Sequence, residues 1–309
     1  MEAIYIFLLA LFIDITLGDP ADKWHPVAWL GKLICLEMKP APAKGRISQF
    51  FAGMLLILAT IVLLGTAIYF LMAWLSSINT ILYIIIAALL LKSTFSARGL
   101  LKAASHIKDL LMKNSLDVAR KELKSLVSRD TTTLDKSSVI SAAIESVAEN
   151  ICDSFVAPVI FFLIFGVPGA AVYRAVNTYD AMIGYHGQWE YFGKFAARFD
   201  DVLNFVPARI SAVILVTAAW ACHKNASRSC AIMWRDHGRT ESPNAGWTMS
   251  AIAGALDIQL EKSGCYKLGN NRHALSISDI DISLRIASIA IAIWSVITVV
   301  IQGVIIAAG

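Results

Sequence analysis

Three carboxylates at a regular spacing are the first residues of this chain that could carry chemistry. Glu145, Glu149 and Asp153, called here the acidic stripe, stand four residues apart beside the apolar run FVAPVIFFLIF. On a helix such positions share one face, where like charges repel unless something offsets them. Asn150 adds an amide oxygen, and carboxylate and amide oxygens suit Mg²⁺. The spacing favours a Mg²⁺ site, with a solvated helix face as the alternative.

Two later segments combine arginine with acids and amides. In RAVNTYD (174–180), the first, fourth and fifth residues share one helix face and the last lies at its edge. An arginine fork binds phosphate through two parallel hydrogen bonds, and a nearby carboxylate can bind a metal or take a proton. Ion pairs that only fix helix packing are the alternative. The candidates from RAVNTYD and from ARFDDVLNFVPARI (197–210) are Arg174, Asn177, Thr178, Asp180, Arg198, Asp200, Asp201, Asn204 and Arg209.

Two turn-rich segments are weaker candidates. SPNAGW (242–247) offers Ser242 and Asn244, which could hold an anion, although turn formation explains the same residues. GDPADKWHP (18–26) places His25 before a helix, where a lone histidine is more often structural than a metal ligand. Common nucleotide-binding and hydrolase motifs are missing, since GCYKLGN (264–270) has asparagine where a P-loop needs lysine. Any nucleotide must therefore bind outside those motifs.

A membrane-embedded helical framework must position these residues. Of the 309 residues, 57% are hydrophobic and only 16% charged, fewer charges than a soluble domain carries. Residues 50–75 and 286–308 contain no charged residue and are long enough to span a bilayer. Residues 1–18 lack a basic start and a cleavage site, which predicts a retained membrane helix rather than a signal peptide. Shorter apolar runs, which could span, re-enter or lie buried, cover 81–91, 155–172 and 207–222.

The basic residues predict the orientation. Three polar stretches, 19–49, 92–154 and 223–284, contain 22 of the 27 Lys and Arg residues. If 50–91 forms a helical hairpin, the first two stretches share one face, which the positive-inside rule makes cytoplasmic. Because membrane-flanking charge explains these clusters, no nucleic-acid partner is predicted. The five cysteines show no metal-binding spacing, as expected for thiols in a reducing compartment.

The polar stretch 92–154 predicts a helical insert on the cytoplasmic side. Its apolar spacing indicates two amphipathic helices, followed by a third that Asp135 or a neighbouring threonine caps. Strands have no clear place in the chain. The segments 36–46 and 262–273, which contain Gly and Lys, are predicted to be surface loops.

The interruption FGVPGA (165–170) allows either a single span or a helical hairpin that dips in and returns. We favour the hairpin, because it would bring 145–153 and 174–209 together. The predicted fold is therefore all-α: a polytopic integral membrane helical bundle with re-entrant or broken helices. One domain over 1–309 is expected to contain both the bundle and its cytoplasmic helical insert.

Six ordered blocks cover most of the chain: GDPADKWHPVAWLGKLI, SRDTTTLD, AAIESVAENICDSFVAPVIF, GVPGAAVYRAVNTYDAMIGY, FGKFAARFDDVLNFVPARI and SPNAGWTMSAIAGAL. Together they resemble the CobD/CbiB family of cobalamin biosynthesis, the adenosylcobinamide-phosphate synthases. That family is integral to the membrane. It is held to join a propionate carboxylate of the corrin to aminopropanol or its O-phosphate, using ATP.

The resemblance implies an acid–amine ligase of the cell membrane. ATP would activate the carboxylate of (adenosyl)cobyric acid by phosphorylation, and (R)-1-aminopropan-2-ol, its O-phosphate or an ethanolamine analogue would attack it. The product would be (adenosyl)cobinamide or its phosphate. The implied cofactors are ATP and Mg²⁺, and the implied partners are the corrinoid, the amino alcohol, membrane lipid and other membrane-associated cobalamin-assembly enzymes. A membrane transporter or a scaffold for corrinoid intermediates is the alternative.

The implied roles of the residues follow the blocks. Mg²⁺ would be held by Glu145, Glu149, Asn150 and Asp153. A second metal or the deprotonation of the amine would fall to the catalytic candidates Asp180, Asp200 and Asp201. Substrate and phosphate binding would fall to Arg129, Asp130, Arg174, Asn177, Thr178, Arg198, Asn204, Arg209, Ser242 and Asn244.

Overall fold

The fold is almost entirely helical. The structure, a computed structural model, describes residues 1–39, 45–127, 129–184 and 189–308. Within these ranges the helices are α1 Glu2–Thr16, α2 Pro26–Glu37, α3 Arg46–Ile78, α4 Thr80–Lys92, α5 Ala97–Met112, α6 Leu116–Leu123, α7 Lys136–Ile151, α8 Ala157–Ile183, α9 Glu190–Leu203, α10 Phe205–Ala221, α11 Ala226–Asp236, α12 Ala245–Leu256 and α13 Ile277–Ala308. Short 3₁₀ turns cover Asp22–Trp24 and His237–Arg239, a π-helix covers Cys152–Val156, and the strands are β1 Gln259–Lys262 and β2 Tyr266–Gly269. The prediction of an all-α membrane fold is confirmed apart from these strands.

Four helical stretches in the described part of the chain are long and apolar enough to cross a membrane. They cover Arg46–Ile78, Thr80–Met112, Lys136–Ile183 and Ile277–Ala308, and a fifth results if α9 and α10 together form one bent span. The two uncharged runs found in the sequence lie in the first and last of these. The predicted N-terminal helix is present as α1, but with 15 residues it is not among the four.

The chain divides into two compact units, each built from separated segments. Unit 1 contains Met1–Ser96, Ala157–Asn204 and Thr298–Gly309, and unit 2 contains Ala97–Val156 and Phe205–Ile297. The expected single domain over 1–309 stays a prediction.

The core of unit 1 lies among α2, α3, α8 and α9. Helix α3 approaches α9 so closely that a Cβ on Gly53 would stand 2.0 Å from the carbonyl oxygen of Phe192. A small residue at such a contact lets two membrane helices pack backbone to backbone. The buried side chains of this core are Ile34, Ile57, Ile61, Ala175, Val176, Tyr179, Ile183, Phe192 and Ala196.

Helix α8 reverses direction at Gly166. This glycine has φ 66° and ψ −162°, outside the helical region, and Pro168 follows it. The rings of Phe161 and Tyr173 stack with centroids 5.0 Å apart. Twelve residues of continuous helix would separate them by about 18 Å, so the two halves of α8 fold back on each other. The predicted hairpin at FGVPGA is confirmed, and the candidate span Lys136–Ile183 is not one straight crossing.

Unit 2 surrounds α7, which is buried along most of its length. The carboxylate of Asp135 caps α7 by accepting from the Ser138 N–H at 2.8 Å, so the predicted cap is confirmed. The amphipathic helices predicted in the insert are α5 and α6, whose apolar faces include the buried Leu100, Ile107 and Leu123.

A β-hairpin in unit 2 corrects the expectation that the chain contains no strand. Strands β1 and β2 pair antiparallel, with Leu260 opposite Leu268, and both leucines are fully buried. Gly264, at φ 75°, supplies the left-handed residue of the turn. The expected loop over 262–273 is therefore wrong at β2. Four-residue strands give too short a period-two pattern to recognise in the sequence. In the other expected loop, 36–46, α2 ends at Glu37 and α3 begins at Arg46, and residues 40–44 lie outside the described ranges.

Candidate functional site

A buried polar network joins the second half of α8 to α9 in unit 1. The Asp200 carboxylate accepts from the Asn204 amide at 2.9 Å and from the Asn177 amide at 3.3 Å. The Tyr173 hydroxyl donates to Asn204 at 2.9 Å. Asp200 is 8% exposed and Asn204 is 2% exposed. The structure therefore brings the segments RAVNTYD and FDDVLN together, as the sequence predicts.

Arg174 extends this network at its half-buried end. Its guanidinium donates to the Asn177 side-chain oxygen at 3.2 Å, and the Thr178 hydroxyl donates to the Arg174 carbonyl at 2.7 Å. Among the described residues no carboxylate lies within 4.0 Å of the Arg174 guanidinium nitrogens. Asn177 therefore orients a cation that has no ion pair with a carboxylate in the described part of the chain.

Arg198, Asp201 and Asp180 lie at the edges of the same unit. Arg198 pairs with Asp201 at 3.5 Å, and the arginine side chain is 72% exposed. Such an exposed pair contributes little to stability. Asp180 is half-buried near the end of α8, and its carbonyl accepts from the Gly184 N–H at 2.8 Å. These carboxylates are more accessible than Asp200, whose two oxygens both accept amide hydrogen bonds.

Two further polar groups in unit 1 contain residues that the sequence did not single out. Glu37 of α2 accepts from Thr60 at 2.8 Å and from the hydroxyl of the fully buried Tyr179. Lys92 lies 3.0 Å from Asp14 and 2.5 Å from Asp19, and both Lys92 and Asp14 are almost wholly buried. Asp14 could have been found in the sequence, because it is the one acid inside the apolar run IYIFLLALFIDITL and an acid within such a run usually has a partner.

Asp19 anchors the polar end of that second group. Burial alone would raise the pKa of Asp19, but hydrogen bonds with His25, Lys92 and Ser96 outweigh it and hold this pKa well below its usual range. His25 caps α2, since its Nδ1 accepts from the Val27 N–H at 3.1 Å, and its Nε2 lies 3.7 Å from Asp19. These two contacts support the structural interpretation of His25.

In unit 2, the first residue of the acidic stripe is already paired. Glu145 is 4% exposed and accepts from Arg129 at 3.1 Å, from Ser141 at 2.6 Å and from the Tyr266 hydroxyl at 2.9 Å. Burial and the Glu145 charge raise the pKa of Tyr266, which keeps the phenol protonated as the donor. Glu145 thus ties the segment after α6 and the β-hairpin to α7.

The rest of the acidic stripe is arranged differently from a regular helix. Glu149 is exposed, whereas Asn150 and Asp153 are half-buried, and the Asn150 amide donates to the Ser146 carbonyl at 3.0 Å. Asp153 falls in the π-helix Cys152–Val156, which breaks the i, i+4 register, and such segments are frequent at functional sites. No group of three or more His, Cys, Asp or Glu residues in the described ranges is placed to hold a metal ion.

Mg²⁺ therefore has a partial fit to the acidic stripe. Because Glu145 accepts from Arg129, Tyr266 and Ser141, the candidate cation ligands that remain in the acidic stripe are Glu149 and Asp153. Mg²⁺ in phosphate-transfer sites is usually bound by one or two carboxylates, with water and substrate phosphates completing its shell. Two carboxylates are the number that this pattern needs, whereas the described residues contain no group of three or more placed to hold a metal ion.

Arg209 is held by an amide oxygen and by two aromatic rings. Its guanidinium donates to the Asn244 side-chain oxygen at 3.3 Å and lies 3.5 Å from the Phe205 ring centroid and 4.8 Å from that of Trp247. None of the described carboxylates lies within 4.0 Å of it. The Asn244 N–H in turn donates to the Ser242 hydroxyl at 3.3 Å, which fixes SPNAGW as a turn before α12.

Asp130 and a nearby cavity complete the candidate groups of unit 2. The Asp130 carboxylate accepts from the Thr132 N–H and hydroxyl at 2.9 and 2.7 Å, so it forms a turn and its pKa is lowered. A polar cavity of about 340 Å³ lies between the start of α7 and the β-hairpin; its lining includes Asp135, Ser141, Glu261, Asn271 and His273. Its size is enough for a small polar molecule.

Comparison with known proteins places the chain in one family. A family model described as CobD/Cbib protein matches residues 7–296. A cobalamin biosynthesis protein CobD of Dehalococcoides mccartyi is 50% identical over 299 residues, covering 97% of each chain. Probable cobalamin biosynthesis proteins CobD of Methanothermobacter thermautotrophicus and Thermoplasma volcanium are 38% and 37% identical, covering 96% and 93% of each chain. No solved structure matches the chain. The resemblance carried by the six sequence blocks is thus confirmed, and the chain belongs to the CobD/Cbib family.

Proposed function

We propose that this protein acts in cobalamin biosynthesis as an ATP-dependent amide synthase of the cell membrane. It joins the carboxylate of (adenosyl)cobyric acid to (R)-1-aminopropan-2-ol, to its O-phosphate or to an ethanolamine analogue. The pathway is supported by relatives named cobalamin biosynthesis protein CobD that are similar over nearly the full chain. The reaction type rests on the six blocks and on the chemistry of the residues within them.

The proposal rests on the surroundings of the guanidinium groups of Arg174 and Arg209. Each guanidinium is oriented by an asparagine oxygen, at 3.2 and 3.3 Å, and neither has a described carboxylate within ion-pair distance. An arginine held in this way keeps its charge and most of its N–H groups for a ligand. Phosphate, which an arginine fork binds bidentately, is the ligand that matches this chemistry.

ATP and Mg²⁺ are the cofactors we propose. Glu149 and Asp153, with Asn150 beside them, are the oxygen groups that would hold Mg²⁺. When bound, the ion would neutralise phosphate charge during transfer to the corrinoid carboxylate. In unit 1, Arg174 would bind phosphate oxygens, with Asn177 keeping its guanidinium in place. In unit 2, Arg209 would do the same with Asn244.

The amine must lose a proton before it can attack the activated carboxylate. Asp201 and Asp180 are the better candidates for taking it, because Asp200 is buried and both its oxygens accept amide hydrogen bonds. Asp200 is instead a positioning residue, since it holds Asn177, which holds Arg174. The polar cavity beside α7 offers carboxylates and hydroxyls that suit a small amino alcohol.

A reconstituted reaction tests the function. Purified protein in detergent is incubated with cobyric acid, Mg²⁺, aminopropanol or its phosphate, and ATP, and mass spectrometry follows the amide product. The expected result is a product that requires ATP and is lost in Arg174→Ala. An ATP-independent signal that persists in Arg174→Ala would point to a contaminant. Corrinoid binding by folded protein without any amide would reject the synthase in favour of a transporter or scaffold.

A further inference from the structure

Helix α2 is apolar on two opposite faces. On the inner face, Ile34 is fully buried, and Leu30 and Met38 pack against the core of α3, α8 and α9. On the outer face, Trp29, Leu33 and Leu36 are exposed by 50%, 41% and 56%. The three outer residues follow i, i+4 and i+7 and so form one stripe. A helix between a protein core and water would carry polar residues at those positions.

Helix α2 is too short to cross a bilayer. Its 12 residues extend over about 18 Å, whereas the hydrocarbon core is roughly 30 Å thick. Residues typical of a membrane surface lie just before the helix and on it. Trp24, 66% exposed, stands just before α2 with the Lys23 ammonium 5.7 Å from its ring, and Lys32 is exposed on the helix itself. Tryptophan and lysine at this position anchor helices at the headgroup level.

The neighbouring helices continue the same kind of surface toward α2. Helix α1 exposes Phe12 and Ile15 in its last turns, by 62% and 60%. Helix α3, which is long enough to span the membrane, exposes Ile47 and Phe51 in its first turns, by 75% and 52%. Exposed apolar residues thus precede and follow α2 in the chain, as expected if lipid covers all three helices.

We propose that α2 lies parallel to the membrane, with its outer face (Trp24, Trp29, Leu33 and Leu36) at the boundary between headgroups and acyl chains. The occupant of this face is lipid. The placement also fixes a depth for the polar group at the start of α2, because His25 caps the helix and contacts Asp19. That group lies at the membrane surface. The inference does not depend on the proposed reaction.

Spin labels at the outer face test the placement. The full chain without its native cysteines is labelled at Leu33→Cys or Leu36→Cys and reconstituted into phosphatidylcholine–phosphatidylglycerol vesicles. Relaxation by oxygen, which enters lipid, is compared with relaxation by a water-soluble nickel chelate. Two exposed apolar positions serve as matched controls: Leu63→Cys in the middle of α3 and Val118→Cys on α6.

The expected depth parameter for both outer positions lies between the two controls. Values equal to Val118→Cys would place the face in water, and values equal to Leu63→Cys would place it in the hydrocarbon core; either overturns the proposal. Shielding from both reagents would mean that protein covers the face, which also overturns it. If labelling disturbs folding, quenching by brominated lipids of wild type and of Trp24→Phe/Trp29→Phe replaces it. The difference in quenching between wild type and the double variant should then be largest when the bromine atoms lie near the headgroup.

Discussion

Four arginines are candidates for phosphate binding, and their surroundings in the structure separate them. Arg129 is paired with the buried Glu145, and Arg198 is paired with Asp201 on an exposed surface. Arg174 and Arg209 are held by amide oxygens and, for Arg209, by two aromatic rings. A guanidinium that no acid neutralises is the one expected to bind an incoming anion.

Arg174→Lys and Arg209→Lys should each lower ATP-dependent amide synthesis by roughly tenfold to a hundredfold. Lysine keeps the charge but loses the bidentate geometry, and a hydrogen bond to a charged group is worth about 1.5–3 kcal/mol. Arg198→Lys is the matched control and should retain nearly full turnover, because its pair is 72% exposed on the arginine side. Full activity of either variant would remove that arginine from phosphate binding.

Glu145→Gln should lower the free energy of unfolding rather than raise the Mg²⁺ requirement. Removing one partner of a buried ion pair leaves the other charge uncompensated, at a cost of about 3–5 kcal/mol. Arg129, 15% exposed, would be that charge. In a double-mutant cycle, Arg129→Ala should add little to the loss of thermal stability caused by Glu145→Gln.

Glu149→Gln provides the comparison on the same helix. Because Glu149 is exposed, the free energy of unfolding of this variant should change by less than about 0.5 kcal/mol. The Mg²⁺ concentration that the variant requires for activity should rise. If instead Glu145→Gln is as stable as wild type and needs more Mg²⁺, Glu145 is a metal ligand and its ion pair is not structural.

The sequence could predict the types and neighbourhoods of these residues but not their partners. The spacing within RAVNTYD placed Arg174 and Asn177 on one face, because helical periodicity is local. The contact between Glu145 and Tyr266 could not be predicted from helical periodicity, because Tyr266 lies 121 positions further along the chain, on a strand that the sequence did not reveal. The π-helix was equally hidden, because nothing in CDSFV distinguishes it from an α-helical turn.

Among the elements, α8 depends most on a single position. Gly166 adopts φ 66° and ψ −162°, a region open essentially only to glycine. The turn was predictable because glycine and proline punctuate a long apolar run. The stacking of Phe161 on Tyr173, which shows that the chain reverses, was not predictable from that punctuation.

Gly166→Ala should lower the free energy of unfolding by about 1–3 kcal/mol, because a Cβ is strained in that backbone conformation. Thermal denaturation in detergent measures the change. Gly303→Ala is the control: Gly303 lies inside α13 with nothing within 4 Å of a built Cβ, so alanine should stabilise the helix by up to about 1 kcal/mol. Equal stability of Gly166→Ala and wild type would contradict the strained turn.

At the scale of the whole molecule, the charge distribution and the helices together predict which side faces the cytoplasm. Helix α3 ends at Ile78 and α4 begins at Thr80, so a reversal of the chain at Asn79 would give the expected hairpin over 50–91. The basic stretches before α3 and after α4 then lie on one side, which the positive-inside rule assigns to the cytoplasm.

Single cysteines in a cysteine-free background test this orientation. Ser137→Cys and Glu241→Cys occupy exposed positions and should react with an impermeant maleimide only from the cytoplasmic side. Asn244, in the same turn as Glu241, is 6% exposed and would label poorly. Ser77→Cys, near the turn between α3 and α4, should react only from outside. Reaction of Ser137→Cys from outside would reverse the assignment.

The interleaving of the two units has a consequence for synthesis on the ribosome. Residues Thr298–Gly309 belong to unit 1 but are translated after every residue of unit 2. At a synthesis rate of about 5–20 residues per second, roughly 5–20 s pass between the synthesis of the earlier segments of unit 1 and that of Thr298–Gly309. During that interval the earlier segments of unit 1 are present without Thr298–Gly309. Unit 1 can therefore be completed only after all of unit 2 has been synthesised.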